Sequence, residues 1–375
     1  MGHIVKTPAS TWRANWRDPS GRQVAKTFRT KKDASAFLAT VEAEKSRGTY
    51  LDPSAGRVLF RNHAGRWEKS RQVELTTADA AKSRMRCHLI PQWGDWPLNK
   101  ISFLDVQAWV TRLSGRLAAQ TVISCFSLMS SIMKAAVRER LIAVNPCEGV
   151  RLPSRRKTAT SDILISREEL TGKLLPEIPE QYRALVLTAA YAGLRWGECA
   201  GLHWRSVDLM KGRIFVAETA VEVSGHVSMK PYPKTEAGRR TVPTPVLLAA
   251  HLRRQAELVA SGPDDLVFPD SVGHILRRSN FRRYVWKPAR EAGGLPSSLT
   301  FHGLRHCYAT WLVSEGVPVN VVQVALGHER ASTTLNRYTH RPADYEDRLR
   351  SALTDCDPVA EPGSADDPLM KDGDL

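Results

Sequence analysis

Residues 11 to 29 alternate between polar and apolar in a way that suits two strands. Trp12, Ala14 and Trp16 fall on one face and Arg13, Asn15 and Arg17 on the other; beyond the turn Asp-Pro-Ser-Gly at 18–21, Val24 and Phe28 again share a face. A period of two predicts a pair of strands here. After Thr30, a residue suited to capping, Ala34, Phe37, Leu38 and Val41 recur at helical spacing between Lys31 and Arg47. That pattern predicts one helix backing a small sheet.

Helical spacing dominates from about residue 60 to 150. Thr77 to Ile90, Phe103 to Leu113 and Ala118 to Arg140 read as helices, separated by PQWGDWP and stopped at Asn145-Pro146. In the last of them Val122, Phe126, Met129, Met133 and Val137 form a stripe expected to be core. Lys and Arg at 82, 84, 86, 134, 138 and 140 are expected on the helix surfaces. The run RLPSRRKTAT at 151–160 mixes proline, small polar residues and four bases, and reads as a linker able to follow a phosphate backbone. From 161 to about 353 the pattern is mixed: helices over Arg167 to Leu175 and Gln181 to Ala192, strands in GRIFVAETAVEV and GRRTVPTP, then helices again. Prolines and acids break up the last residues, which are expected to be disordered. No internal repeat is evident.

Charge changes this picture. The 375 residues hold 54 Lys and Arg against 39 Asp and Glu, a formal +15, and 42% of them are hydrophobic. That is enough for ordinary cores, and the length suggests two or three domains. Residues 355–375 hold seven acids and one base, a tail of −6, which leaves +21 on the remainder. A body that basic suits a polyanion, duplex nucleic acid first, because Lys and Arg gain free energy there by releasing counterions. The basic face of the N-terminal sheet can then lie in a DNA groove or remain a solvated face. Six cysteines, at 87, 125, 147, 199, 307 and 356, form no CxxC pair and stand at no metal-ligand spacing with histidine. They read as reduced thiols in a cytosolic protein. The start MGHIVKTPASTWRANWR has no apolar signal core, and the longest uncharged apolar stretch, taken to lie around Ala184 to Leu194, is too short for a bilayer. Neither secretion nor membrane insertion is expected.

Motifs for nucleotide hydrolysis, hydride transfer and zinc hydrolysis are missing: there is no GxxxxGK[ST], no GxGxxG after a strand, no HExxH and no GxSxG. What the basic body does contain is AGLRWGECAGLHW (192–204), KTEAGRRTVP (234–243), FHGLRH (301–306), LGHE (326–329) and LNRYTH (335–340), in that order. Together these resemble the tyrosine recombinase family, in particular phage-type integrases. The resemblance continues upstream, where GDWPLNKIS through NPCEGVRLP looks like the family's helical core-binding domain and the first 50 residues look like its sheet-type arm-binding domain.

The resemblance implies a multidomain chain, mainly α with small β-sheets: a three-stranded sheet plus helix at 1–55 binding arm-type sites, a helical core-binding domain at 60–150, a linker at 151–160, an α+β catalytic domain at 161–354 and an acidic tail. It also implies residue roles. Tyr338 is the nucleophile, whose phosphotyrosine product conserves the phosphodiester energy so that a free 5′-hydroxyl can reverse the step. Arg195 and Arg305 hold the non-bridging oxygens with forked guanidinium groups. His302, one helical turn before Arg305, accepts the tyrosine proton or helps hold the phosphate, and His328 donates to the phosphate. Lys234 matches the lysine that protonates the leaving 5′-oxygen, with Lys230 one hairpin turn away as a competitor. Glu198 supports by orienting its neighbours. His306, Tyr308 and His340 flank the motifs with no assigned role, and Trp196, Trp204 and Trp311 read as core.

Arg13, Arg17, Arg155, Arg156 and Lys157 are further expected DNA contacts. No metal-ligand set and no cofactor accompanies these groups, so strand cleavage is expected to survive a chelator. The implied activity is site-specific recombination at attachment sites, through a 3′-phosphotyrosyl intermediate and a Holliday junction, by a tetramer whose helical and catalytic domains clamp each core site. The implied partners are duplex DNA with core-type and arm-type sites, a host DNA-bending factor and an excisionase, in the cytoplasm at the nucleoid and away from membranes. A type IB topoisomerase and a non-catalytic DNA-binding protein of the same fold are the alternatives.

Overall fold

The computed structural model describes residues 2–19, 21–48, 50–52, 54–154, 164–231 and 238–327. The chain divides into two compact units, Met1–Ala159 and Thr160–Leu375.

In the first unit, β1 (His3–Lys6), β2 (Trp12–Arg17) and β3 (Gln23–Phe28) form an antiparallel sheet with β2 at its centre, backed by α1 (Lys31–Ser46). The alternation read from the sequence holds in part: Trp12 is half-buried, and Asn15, read with the arginines, is buried. Ala14 and Trp16 are buried with Ala34, Leu38 and Val41 of α1, whereas Arg13 and Arg17 are exposed. Trp16 donates from Nε1 to the Tyr50 hydroxyl at 2.8 Å and meets Phe37 edge to face at 5.3 Å. The register aligns Val5, Arg13 and Thr27 across the three strands, so the face away from α1 carries arginine among small and polar residues. Thr30 caps α1 by accepting from the Asp33 amide at 3.1 Å.

The remainder of this unit is helical: α2 (Phe60–Lys69), α3 (Leu75–Arg84), α4 (Ile90–Trp93), α5 (Phe103–Ser114) and α6 (Ala119–Arg138). A π-turn over Met85–Leu89 joins α3 to α4 just before Pro91, whose ring nitrogen has no proton for the helical ladder. PQWGDWP thus continues a helix and feeds the core: Trp93 is buried and meets both Trp96 and Trp109 edge to face. Ser102 and Asp105 cap α5 reciprocally. On α6, Val122, Cys125, Leu128, Met129, Ile132, Met133 and Ala136 are buried, with Phe126 and Val137 packed at the edge of the same core. This helix overturns one sequence reading, because its uncharged run at 117–133 is longer than the one at 184–194. It is long and apolar enough to cross a membrane by length and composition, and its apolar stripe is what the core of this unit packs around.

The second unit is built around α8 (Glu180–Tyr191), on which Tyr182 and every residue from Ala184 to Ala190 are buried. α7 (Arg167–Glu169) and α9 (Trp196–Ala200) flank it in sequence. β4 (Val207–Asp208), β5 (Arg213–Val216) and β8 (Arg240–Pro243) form one small sheet, and β6 (Thr219–Val223) pairs with β7 (His226–Lys230) in a separate hairpin. The run GRIFVAETAVEV therefore supplies strands to two sheets, broken between Val216 and Thr219. Next come α10 (Val246–Leu258), α11 (Arg278–Phe281), a π-turn over Arg282–Trp286, α12 (Lys287–Ala292), α13 (Phe301–Ser314) and α14 (Val319–Leu326). α10 and α13 both pack on α8. Trp204 is buried as core and donates to the Ala260 carbonyl at 3.2 Å, whereas Trp196 is half-buried at the core's edge, against Phe281 and edge to face with Phe301. Half-buried Trp311 packs on Tyr191.

Candidate active site

The AGLR turn delivers the first arginine. Gly193 has φ +64, and a Cβ there would lie 2.5 Å from the Tyr308 ring, so a side chain is excluded by both conformation and space. Tyr308, unassigned from the sequence, is the wall against which this turn closes. Arg195 follows as the N-cap of α9, and Glu198, three residues on, accepts its backbone N–H at 2.9 Å and its Nη1 at 2.7 Å. Gly197 and Gly201 let α9 lie against β6: Cβ atoms there would fall 2.5 Å from the Ala220 carbonyl oxygen and 2.7 Å from its amide nitrogen.

Glu198 gathers three guanidinium groups. Besides Arg195, Arg240 of β8 donates to it from Nη1 at 3.2 Å and Nη2 at 2.9 Å, and Nη1 of Arg305 on α13 lies 3.9 Å away. Burial alone would push the carboxyl up. The Arg240 hydrogen bonds and charge outweigh it, aided by the charges of Arg195 and Arg305, and hold Glu198 at about 2. The four groups together carry +2, with Glu198, Arg240 and Arg305 buried and Arg195 reaching the surface.

The same arginines grip the end of α14. Arg240 Nε donates to the Ala325 carbonyl at 2.7 Å, an Nη of Arg305 to the Leu326 carbonyl, and Arg195 Nη2 to the Gly327 carbonyl at 3.2 Å. Three consecutive carbonyls at a helix C-terminus, where the helix dipole is negative, are thus each bound by one arginine. Gly327 ends α14 in the left-handed conformation, φ 62 and ψ 49, and His328 is the next residue in the chain.

His302 sits exposed in the first turn of α13, whose N-cap Thr300 accepts from the Gly303 amide at 3.1 Å. Its ring meets that of His306 edge to face at 4.8 Å. One turn further Arg305 is buried, its side chain 2% exposed, and its other Nη donates to the Gly193 carbonyl at 2.6 Å. Arg195 keeps 38% of its side chain exposed. The two arginines read from the sequence as equivalent therefore stand differently, one at the surface and one inside. Lys230 ends β7. Lys234, His328 and Tyr338, like Arg155, Arg156 and Lys157, lie outside the described residues.

The sequence reading missed two features. Arg240 is one: period two in RRTVP places it beside Val242 on the inward face of β8, and both are buried. The other is the exposed surface of α11 and the following π-turn, where Arg277, Arg278, Arg282, Arg283 and Lys287 gather without an intervening acid. There the carboxylate of Glu222 accepts the Arg278 backbone N–H at 3.0 Å. Among the described residues no cluster of His, Cys, Asp and Glu has the makings of a metal site.

Comparison with known proteins gives this arrangement a family. Residues 169–344 match the phage integrase family model. The chain is 29% identical to a prophage phiRv2 integrase of Mycobacterium tuberculosis, over 94% of each chain. It is 30% identical to the tyrosine recombinase XerC of Halalkalibacterium halodurans, covering 67% of this chain and 80% of that one. Among solved structures, the Tn1549 transposon integrase in complex with circular intermediate DNA fits with a TM-score of 0.65 at 20% identity, over 79% of this chain and 100% of that one. A lambda integrase tetramer bound to a Holliday junction fits with a TM-score of 0.56 at 19% identity, over 88% and 96%. The fold is shared with both structures. The chain belongs to the tyrosine recombinases, enzymes that break and rejoin DNA strands.

Proposed function

We propose that this recombinase is an integrase, recombining DNA at attachment sites through a 3′-phosphotyrosyl intermediate and a Holliday junction. The observation that carries the reading is the positively charged cluster of Arg195, Arg240 and Arg305 on Glu198, beside the N-terminus of α13 that bears His302. A phosphodiester entering there meets the part-exposed fork of Arg195 backed by a buried positive cluster, where charge stabilisation is strong. The Tyr338 oxygen attacks phosphorus and gives up its proton, with His302 as acceptor or as a further phosphate ligand. The bond from phosphorus to the 5′-oxygen breaks, and Lys234 or Lys230 delivers the proton that makes it a hydroxyl. Arg195 and His328 hold the non-bridging oxygens. For Arg305 to join them, its contact with the Leu326 carbonyl has to give way to phosphate.

In this reading residues 1–55 bind arm-type sites through the sheet face of Arg13 and Arg17. Residues 60–150 and 161–354 clamp the core site, and 151–160, with Arg155, Arg156 and Lys157, follow the backbone between them. The exposed arginines of 277–283 add a second basic surface. A tetramer on two duplexes is supported by the fit to the lambda integrase tetramer on a Holliday junction. A host bending factor, an excisionase and a cytoplasmic, nucleoid-associated location complete the proposal.

The test is a nicked suicide duplex carrying the attachment site, incubated with the protein in EDTA. A covalent protein–DNA adduct is expected from the wild type and none from Tyr338→Phe, with recombinant product from intact sites. No adduct from the wild type would leave only DNA binding; an adduct with no recombinant product would point to a topoisomerase.

A further inference from the structure

We infer that Arg240 is a positioning residue of the strand-transfer site: it fixes Glu198 and the end of α14 while Arg195 and Arg305 exchange carbonyl partners for the phosphate. This rests on the function proposed above. No family motif quoted from the sequence gives Arg240 a role, and its place in the fold does.

Its own side chain is 4% exposed, with every nitrogen engaged on protein: Nε on the Ala325 carbonyl, Nη1 on Glu198 and on the Gly238 carbonyl at 3.2 Å, Nη2 on Glu198. It is therefore not placed to touch DNA. Arg195 and Arg305 each reach the same helix end, at Gly327 and Leu326. When phosphate claims those two arginines, two of the three bonds holding the α14 terminus are released. The Arg240 bond to Ala325 is the one that can persist, and it lies three residues before His328 in the chain.

Arg240 also counterbalances Glu198. With two arginine partners alone, the buried carboxylate would hold Arg195 and Arg305 more tightly, in competition with the phosphate. With Arg240 making two hydrogen bonds to it, Glu198 can keep the Arg195 backbone and one of its nitrogens in place while the rest of that side chain turns outward. Arg240 also holds the Gly238 carbonyl just before β8, so one side chain ties the start of that strand, the acid and the helix end together. Forked donors are needed for this, and lysine supplies only a single point of charge.

The experiment uses the full chain, the nicked suicide duplex at saturating concentration, and Arg240→Gln, Arg240→Lys, Glu198→Gln and the Arg240→Gln/Glu198→Gln pair. A misplaced site is expected to slow adduct formation by about 10²-fold in Arg240→Gln, with DNA affinity within about twofold of wild type. Arg240→Lys, which keeps the buried charge and remains informative if the glutamine variant does not fold, is expected to recover part of the rate. The paired variant is expected to be no slower than the slower single one, because the two residues act as a unit. Rates within about threefold of wild type in both Arg240 variants, losses that multiply in the pair, or losses that follow DNA affinity or the folded fraction would each overturn the inference. Failure of the wild type to form any adduct would instead overturn the proposed function.

Discussion

Arg13, Arg17, Arg277, Arg278, Arg282 and Arg283 stand exposed on their elements, whereas Arg240 and Arg305 lie inside the second unit with side chains 4% and 2% exposed. The two sets count equally toward the +15 of the chain and differ in everything else. The exposed set is free to follow a phosphate backbone, and its contribution to binding is lost progressively as salt rises. The buried set is held by Glu198 and by backbone carbonyls, in geometry that salt scarcely screens. Net charge therefore announces a polyanion and says nothing about where chemistry occurs. Burial separates affinity from activation. Arg195, at 38% exposure and bonded to both Glu198 and Gly327, stands on the boundary between the two sets.

The largest effect expected from breaking this contrast is on the buried side. Glu198→Ala leaves buried guanidinium groups without their counter-charge, and is expected to cost on the order of 3–5 kcal/mol in denaturant unfolding of the full chain. A loss near zero would mean that the cluster is more hydrated than its burial indicates. The same carboxylate sets an acid limit. Its folded pKa, about 2, lies below the ordinary 4.5, so its stabilisation is present above pH 4.5 and disappears as pH falls toward 2. Linkage puts that contribution at roughly 3 kcal/mol. Wild-type stability is expected to decline across that window and Glu198→Gln to decline less, as measured by unfolding at stepped pH; parallel curves would contradict the assignment.

Changes on the exposed side are expected to be smaller and of another kind. Arg282→Ala and Arg283→Ala, made singly, are each expected to reduce the slope of log affinity against log salt by about one, and Arg17→Ala to do the same on arm-type DNA only. Fluorescence anisotropy across a salt series reads this directly. An unchanged slope for all three would remove these surfaces from the DNA interface.

How far the sequence spoke for the fold follows the same division. Period two revealed β2 because Ala14 and Trp16 are buried while Arg13 and Arg17 are exposed, although Asn15 between them is buried too, and the α6 stripe was legible because one side of that helix lies in the core. β1 gave little signal, being four residues long with only Ile4 half-buried. In the site, the motifs led to Arg195, Glu198, His302 and Arg305 by their order along the chain. The inequality of the two arginines was not legible, since exposure of a side chain in a tightly packed turn depends on Tyr308, over a hundred residues away, closing on Gly193. Arg240 hid beside Arg239 in a run of two bases, where strand alternation with Val242 was the one available signal. The basic run at 277–287 passed unnoticed because charge along a helix usually marks a solvated face. Its exposure beside a hairpin carboxylate that caps α11 is visible only in three dimensions.

The most direct test of the division is the single-turnover rate of covalent adduct formation at saturating DNA, measured for Arg195→Ala and for the Arg282→Ala/Arg283→Ala pair. The expected rate is lower by about 10²–10³ for the first, and the saturated rate is unchanged with weakened, less salt-sensitive binding for the second. A saturated rate that survives in Arg195→Ala, or that collapses in the surface pair, would contradict that division.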